Sequence, residues 1–476
     1  MSNSSLTPSF PERGVYFATH FRNWYEEATD AEVVRYVQEL SEWGLTGVAA
    51  WFDMHDFASI GEPGARRRLR RIKLIFAAAE RLGLRRDLLF LANEAFAGSP
   101  PELRADWRAG SNGYNRDLVG HYHVELCPSK SGAMELLLAW RRQVFDAFAE
   151  IPPTDITIFP YDQGGCTCDD CAPWGANGFL RLARPLADLA RKSFPGVRVN
   201  LSTWNFDAYG DTHEWEGLFA CGGELATWCD RLYVAPRDLV RIRERTPGGI
   251  PAFSTTEISM RGMLPWGGYG ANPMPENIQR EISDNPELDG MRPYSEGIYE
   301  DLNKAMVLGV LRDPSKTTLD IAGDYAVRYF GEATREPLTE AVRLMEGNMD
   351  HVARVGQGEI VRDAYALDAV APDRPWRFSH AAPSLDRDRA QRVKSLLDEA
   401  EGMMTEERRT SWRFRLLRLR AEIDCALADR AEEGRLEPLF EELARIGRVS
   451  DRTPPWLVPP ARSLWLRVKN LWQTCL

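Results

Sequence analysis

The chain has 476 residues, of which 44% are apolar, 10% aromatic and 27% charged, enough material for a packed interior and unlike a disordered sequence. Its 59 basic and 70 acidic side chains leave a net charge of −11, which argues against general affinity for nucleic-acid phosphates or anionic membranes and favours a small molecule or glycan as partner. The length exceeds one ordinary core and suits one barrel of roughly 250 residues with an accessory domain.

The opening stretch MSNSSLTPSFPERG has neither a basic n-region nor an apolar h-region, and no later run approaches about 18 consecutive apolar residues. A cytoplasmic protein is expected. From residue 14 to about 310, short β-rich runs alternate with helical patterns. The predicted strands are GVYFAT (14–19), GVAAWF (47–52), LLFLANE (88–94), ITIFPYD (156–162), VRVNLSTW (197–204), RLYVAP (231–236), PAFSTTE (251–257) and GMRPYSE (290–296). Between them, Val33, Val37 and Leu40 follow a Thr29-Asp30 cap at helical spacing, as do Phe179, Leu182, Leu186 and Leu189 after Asn177, with a kink expected at Pro185. Eight such units predict an α/β fold, a (β/α)8 TIM barrel over residues 10–312; no glycine fingerprint for a doubly wound sheet follows the first strand. Beyond Arg312-Asp313-Pro314 the strand pattern stops, and segments such as DRDRAQRVKSLLDEAEGMM predict a C-terminal α-helical domain over 313–476.

Barrel enzymes carry their chemistry at the carboxyl ends of the strands. Four predicted strands close on an acid there: Glu94, Asp162, Glu257 and Glu296. Trp51, Tyr161, Trp204, Trp266, Tyr269 and Tyr294 share the same rim. Carboxylates bind sugar hydroxyls and aromatic faces stack on pyranose rings, so the combination predicts a glycosidase, with one acid protonating the leaving oxygen and a second carboxylate attacking the anomeric carbon or activating water. Any one acid or ring has a plainer reading as loop bonding or core packing; four strand-end acids together do not. His20 and His55 lie near strand ends and are candidates for polar lining.

The segment PYDQGGCTCDDCAPWG (160–175) places Cys166, Cys168 and Cys171 in C-x-C-x-x-C, with Cys127 as candidate fourth ligand for a structural zinc. Packed reduced thiols are the alternative; a redox centre ranks third because no thioredoxin-like context surrounds the motif. The chemistry itself requires no cofactor.

Two motifs carry a resemblance. PYSEGIYEDLNKAMVLGVLRDP (293–314) resembles the α-N-acetylglucosaminidase family of glycoside hydrolases, which implies Glu296 as nucleophile and, at the family's acid/base position closing strand four, Asp162. Asp there is shorter than the family's Glu, and YDQGGC departs from the family's sequence. LCPSKSG (126–132) followed by the cysteine loop is similar to barrel proteins related to endo-hexosaminidases and α-glucuronidases, families with a helical domain after the barrel. Together these cover roughly residues 120–330 and imply a retaining glycoside hydrolase acting on a short glycan or glycoside. Glu94, His20, Trp51, Tyr161, Trp204, Trp266 and Tyr294 are then expected to bind substrate, with Glu257 as the rival nucleophile. The competing reading is a non-catalytic carbohydrate-binding barrel. A zinc-dependent hydrolase would need catalytic ligands that the sequence does not display.

Overall fold

The computed structural model describes residues 10–19, 23–114, 123–161, 164–245, 249–256, 258, 271–295, 297–348, 385–429, 431 and 433–448. Eight parallel strands close into a barrel: β1 (Glu12–Phe17), β2 (Gly47–Trp51), β3 (Arg85–Leu91), β4 (Asp155–Phe159), β5 (Arg198–Ser202), β6 (Arg231–Val234), β7 (Ala252–Ser254) and β8. The last is broken into Gly290–Met291 and Tyr294–Ser295, both paired with β1. Each strand lies against its sequence neighbours, and β1 pairs with β2 on its other side, so no edge is left open. Gly290 makes the last closure feasible, because a Cβ there would sit 1.9 Å from the Glu12 carbonyl.

The helices that follow the strands are α1 (Asp30–Trp43), α2 (Pro63–Arg81), α3 (Ala133–Ala147), α4 (Gly178–Ser193), α5 (Glu214–Ala220), α6 (Leu239–Arg245), α7 (Pro275–Asp284) and α8 (Asp301–Arg312). Thr29 caps α1 as expected: its hydroxyl accepts from the Glu32 N–H while the Glu32 carboxylate accepts from the Thr29 N–H. Helix α4 continues through Pro185. After α8 only helices occur among the described residues: α9 (Thr318–Tyr329), α10 (Arg335–Glu346), α11 (Arg387–Gly402), α12 (Trp412–Ala428) and α13 (Glu433–Gly447). They pack against the α1 and α8 side of the barrel. Arg413 on α12 bonds Asp301 at 2.7 Å, and the Tyr299 hydroxyl donates to the Leu443 carbonyl at 2.7 Å. No described helix is long and apolar enough to cross a membrane.

The amino-terminal end of the barrel is filled by charge, not by the branched apolar layers that commonly occupy this fold. Glu12, buried to 2% exposure, pairs with Arg85 and Arg231 and lies 3.7 Å from Arg292. Arg292 bonds Asp87 at 2.6 Å, and Arg198 bonds Asp155 at 2.8 Å. Thr157 donates to Asp87 at 2.6 Å. Burial, together with the neighbouring Arg198, Arg231 and Arg292 and against the pull of Asp155, brings the Arg85 guanidinium down to about 9. The opposite end of the barrel is where rings and loops gather.

Candidate active site

Strands β3, β4 and β7 end at Leu91, Phe159 and Ser254, and β8 ends at Ser295. Because all strands are parallel, these carboxyl ends lie on one rim, and in the sequence positions 94, 162, 257 and 296 follow them within three residues. Of the residues expected to act there, Asp162, Glu257, Glu296, His20 and Trp266 lie outside the described residues. The rim itself is aromatic. Tyr16 and the half-buried Tyr294 face each other across β1 and β8 with ring centroids 5.2 Å apart. Phe159 and Tyr233 meet at 5.3 Å although β5 separates their strands, a contact that is made through the barrel interior. Trp204, also half-buried, follows β5 and donates its backbone N–H to Ser202. Tyr16, Phe159 and Tyr233 were not singled out from sequence; the alternation of inward residues along β1, β4 and β6 was the available signal.

Glu94 stands in an enclosed position. It is 1% exposed, and donors of the protein converge on its carboxylate: the Met54 N–H at 2.7 Å, Arg141 at 3.1 Å and the Trp51 indole N–H at 3.2 Å, with His55 Nδ1 at 3.4 Å. Arg141 is itself 2% exposed and stacks on the Phe90 ring at 3.7 Å. A carboxylate this enclosed braces the wall between β2 and β3. Trp51 is drawn into the same wall, 6% exposed and 5.5 Å from the His55 ring.

Tyr161 is displaced in the same sense. Fully buried, it donates to Glu214, which also accepts from Tyr114 at 3.0 Å, from the Gly175 N–H at 2.9 Å and from the Asp207 N–H at 2.8 Å. Burial raises the Glu214 carboxyl above the ordinary range, opposed by those hydrogen bonds. This clasp joins the loops after β4 and β5. Nothing in the sequence around Glu214 announces it, since its partners come from three separate segments.

Two further buried groups fix the rim from behind. The Asn93 side chain donates to the Leu126 and Gly165 carbonyls at 3.2 and 3.1 Å and accepts from the Gly165 N–H at 3.2 Å, tying the β3 loop to the segment just after position 162. Gly165 has φ +107, and a Cβ there would meet Trp107 at 2.9 Å and Tyr161 at 3.0 Å. On either side of position 296, the Ser295 hydroxyl hydrogen-bonds Tyr25 at 2.6 Å and Glu300 at 2.9 Å, while Lys304 donates to the Gly297 carbonyl at 2.5 Å, Tyr25 at 2.7 Å and Tyr36 at 2.9 Å. Lys304 is fully buried, and burial pushes its ammonium down to about 8 against the pull of Glu300 and Asp301.

Cys127, Cys166, Cys168 and Cys171 come together as expected beside the β4 loop, their sulfurs all within 4.8 Å of one another. None is in a disulfide. The cluster has the composition and spacing of a metal-binding group.

No protein family's sequence profile matches the chain, and no curated protein matches it. Solved structures do share its fold. One is a GH138 enzyme targeting pectin rhamnogalacturonan II, 10% identical with a TM-score of 0.54 over 97% of this chain and 62% of that one. Another is a family GH115 4-O-methyl-α-glucuronidase with specificity for decorated arabinogalactans, 8% identical with a TM-score of 0.54 and the same two coverages. The chain thus spans about three-fifths of the length of these two proteins. The likeness is one of fold, and it meets the expected kinship with α-glucuronidase-like barrels at that level.

Proposed function

We propose that the chain is a retaining glycoside hydrolase that acts on a short glycan or glycoside. The observation that carries this reading is the convergence of β4, β7 and β8, each followed within three residues by a carboxylate, on one aromatic rim of a barrel that glycoside hydrolases share. Asp162 protonates the leaving oxygen as Glu296 attacks the anomeric carbon. The glycosidic C–O bond breaks, and a glycosyl ester forms on Glu296. Asp162, now ionised, takes a proton from water, which attacks the anomeric carbon and releases Glu296. The two carboxyls of such a pair stand about 5–5.5 Å apart; about 6.5–9.5 Å would leave room for water and imply inversion.

Trp204 and Tyr294 supply the stacking faces; Trp51, bonded to Glu94, belongs to the wall, and His20 and Trp266 are assigned to the substrate from their places in the sequence. Glu94 and Tyr161 serve as wall. The four-cysteine cluster braces the loop that carries Asp162, as a structural zinc site does, and takes no part in bond cleavage. A cytoplasmic setting accords with none of the seven described cysteines being in a disulfide.

The test is a panel of nitrophenyl glycosides with wild type, Glu296→Gln and Glu257→Gln. Turnover of one glycoside by wild type, near-background kcat in Glu296→Gln and a partial loss in Glu257→Gln are expected. If Glu257→Gln is dead while Glu296→Gln keeps most of its turnover, Glu257 is the nucleophile. Saturable glycan binding with no turnover of any substrate would replace the enzyme by a binding barrel.

A further inference from the structure

We propose that Cys127, Cys166, Cys168 and Cys171 hold one zinc ion as a closed tetrathiolate, with Arg181 offsetting its charge, and that the metal clamps the β3 loop to the loop bearing Asp162. The sulfur geometry comes first. Cys127 Sγ lies 3.7 Å from Cys168 Sγ and 3.7 Å from Cys171 Sγ. A disulfide would bring one such pair to about 2.05 Å and push the other away. Four sulfurs at the zinc–thiolate distance of about 2.3 Å instead define a tetrahedron with edges of about 3.8 Å. Two edges of the cluster match that tetrahedron, and the remaining four stay within 4.8 Å.

The backbone holds the sulfurs in place by bonds that do not involve sulfur. The Cys127 N–H donates to the Leu103 carbonyl at 2.9 Å, the Thr167 N–H to Asp106 at 2.7 Å, and the Cys171 N–H to Cys168 at 3.0 Å.

Charge completes the case. Four thiolates around Zn²⁺ carry a net −2. Arg181 Nη2 approaches Cys171 Sγ to 3.5 Å from the solvent side, held there by the Ser129 hydroxyl at 2.6 Å and the Asp170 carbonyl at 3.1 Å, and the same hydroxyl lies 3.0 Å from that sulfur. All four ligands are protein thiolates, so the site is closed and structural, and its softness selects zinc or iron over magnesium or calcium.

The experiment uses the full chain purified without chelator. Elemental analysis should find about one zinc per chain, and exchange into cobalt(II) should give the visible absorption of a tetrahedral thiolate complex. Zinc below about a tenth of an equivalent overturns the site, and stoichiometric iron in its place overturns the assignment of the ion. Cys168→Ser, at the half-buried ligand, should lose most of the bound zinc; full retention also overturns the four-cysteine set. Arg181→Met should keep the zinc but release it to a chelator about 10–100-fold faster, and an unchanged rate removes Arg181 from the site. Metal content is read whether or not the barrel cleaves a glycoside, so the zinc inference and the glycosidase reading fail separately.

Discussion

Replacing Glu94 by Gln separates the role the structure gives this residue from the one its sequence position suggests. The substitution keeps the shape and one carbonyl oxygen but puts an NH2 where donors now converge: Met54 N–H at 2.7 Å, Arg141 at 3.1 Å and Trp51 at 3.2 Å. It also leaves Arg141, fully buried and with Nη1 already without a hydrogen-bond partner, as an uncompensated cation. Removing one member of a buried ion pair costs about 3–5 kcal/mol. With an unfolding entropy of about 2.1 cal/mol/K per residue over 476 residues, that loss lowers Tm by about 3–5 °C. The double variant Glu94→Leu/Arg141→Met, which removes both charges, should recover much of it. Thermal scans followed by circular dichroism, beside KM for whichever glycoside is turned over, make the measurement. A Glu94→Gln variant with unchanged Tm and a KM raised tenfold would refute the reasoning and return Glu94 to the substrate.

Tyr161→Phe keeps the ring and removes the donor to Glu214; a loss of about 1–3 kcal/mol in chemical denaturation with KM unchanged is expected, whereas a KM effect alone would mean the ring meets substrate. Asn93→Ala strands Leu126 and both backbone groups of Gly165, for an expected loss of about 2–4 kcal/mol and faster hydrogen exchange at the Gly165 amide; normal protection there would show that the loop is held by something else. Lys304 titrates at about 8 when folded, against 10.5 ordinarily, so between those values the unfolded chain binds a proton that the folded chain does not, and this group's contribution makes stability rise with pH across that window. Denaturation at about pH 8 and about pH 10 should therefore show a smaller rise in Lys304→Met than in wild type, and equal rises would contradict the assignment.

The eight strands were legible because each centres on a buried apolar run, but three of their beginnings were read late. Sequence places the first, third and fourth at 14, 88 and 156, whereas they start at Glu12, Arg85 and Asp155. The missing residues are charged, and a charge at a strand's start looks like the preceding loop until its partner on another strand is known. The ends were read late for the opposite reason: hydrophobic residues such as Ala92, Ala95 and Phe96 continue past Leu91 into buried loop. Arg292 breaks β8 for a related cause, turning inward to Asp87. The strand-end rule could not tell that the carboxylate at position 94 turns to Arg141, because that partner lies 47 residues away. The cysteines were readable because spacing alone restricts what three thiols in six residues can do.

The charged floor of the barrel has a consequence for how the chain finds its fold. An apolar-alternating strand that slips by two residues keeps its faces and loses little, so hydrophobic patterning distinguishes such registers poorly. Here a two-residue slip carries a charge about 6.6 Å along its strand. Moved that far, Glu12 leaves Arg85 and Arg231, and Asp155 leaves Arg198, so ions are stranded inside the barrel at several kcal/mol each. Ion pairs that contribute little net stability therefore act as a key that admits one alignment of the strands, and the loops at the opposite end are free to diverge because the alignment does not depend on them.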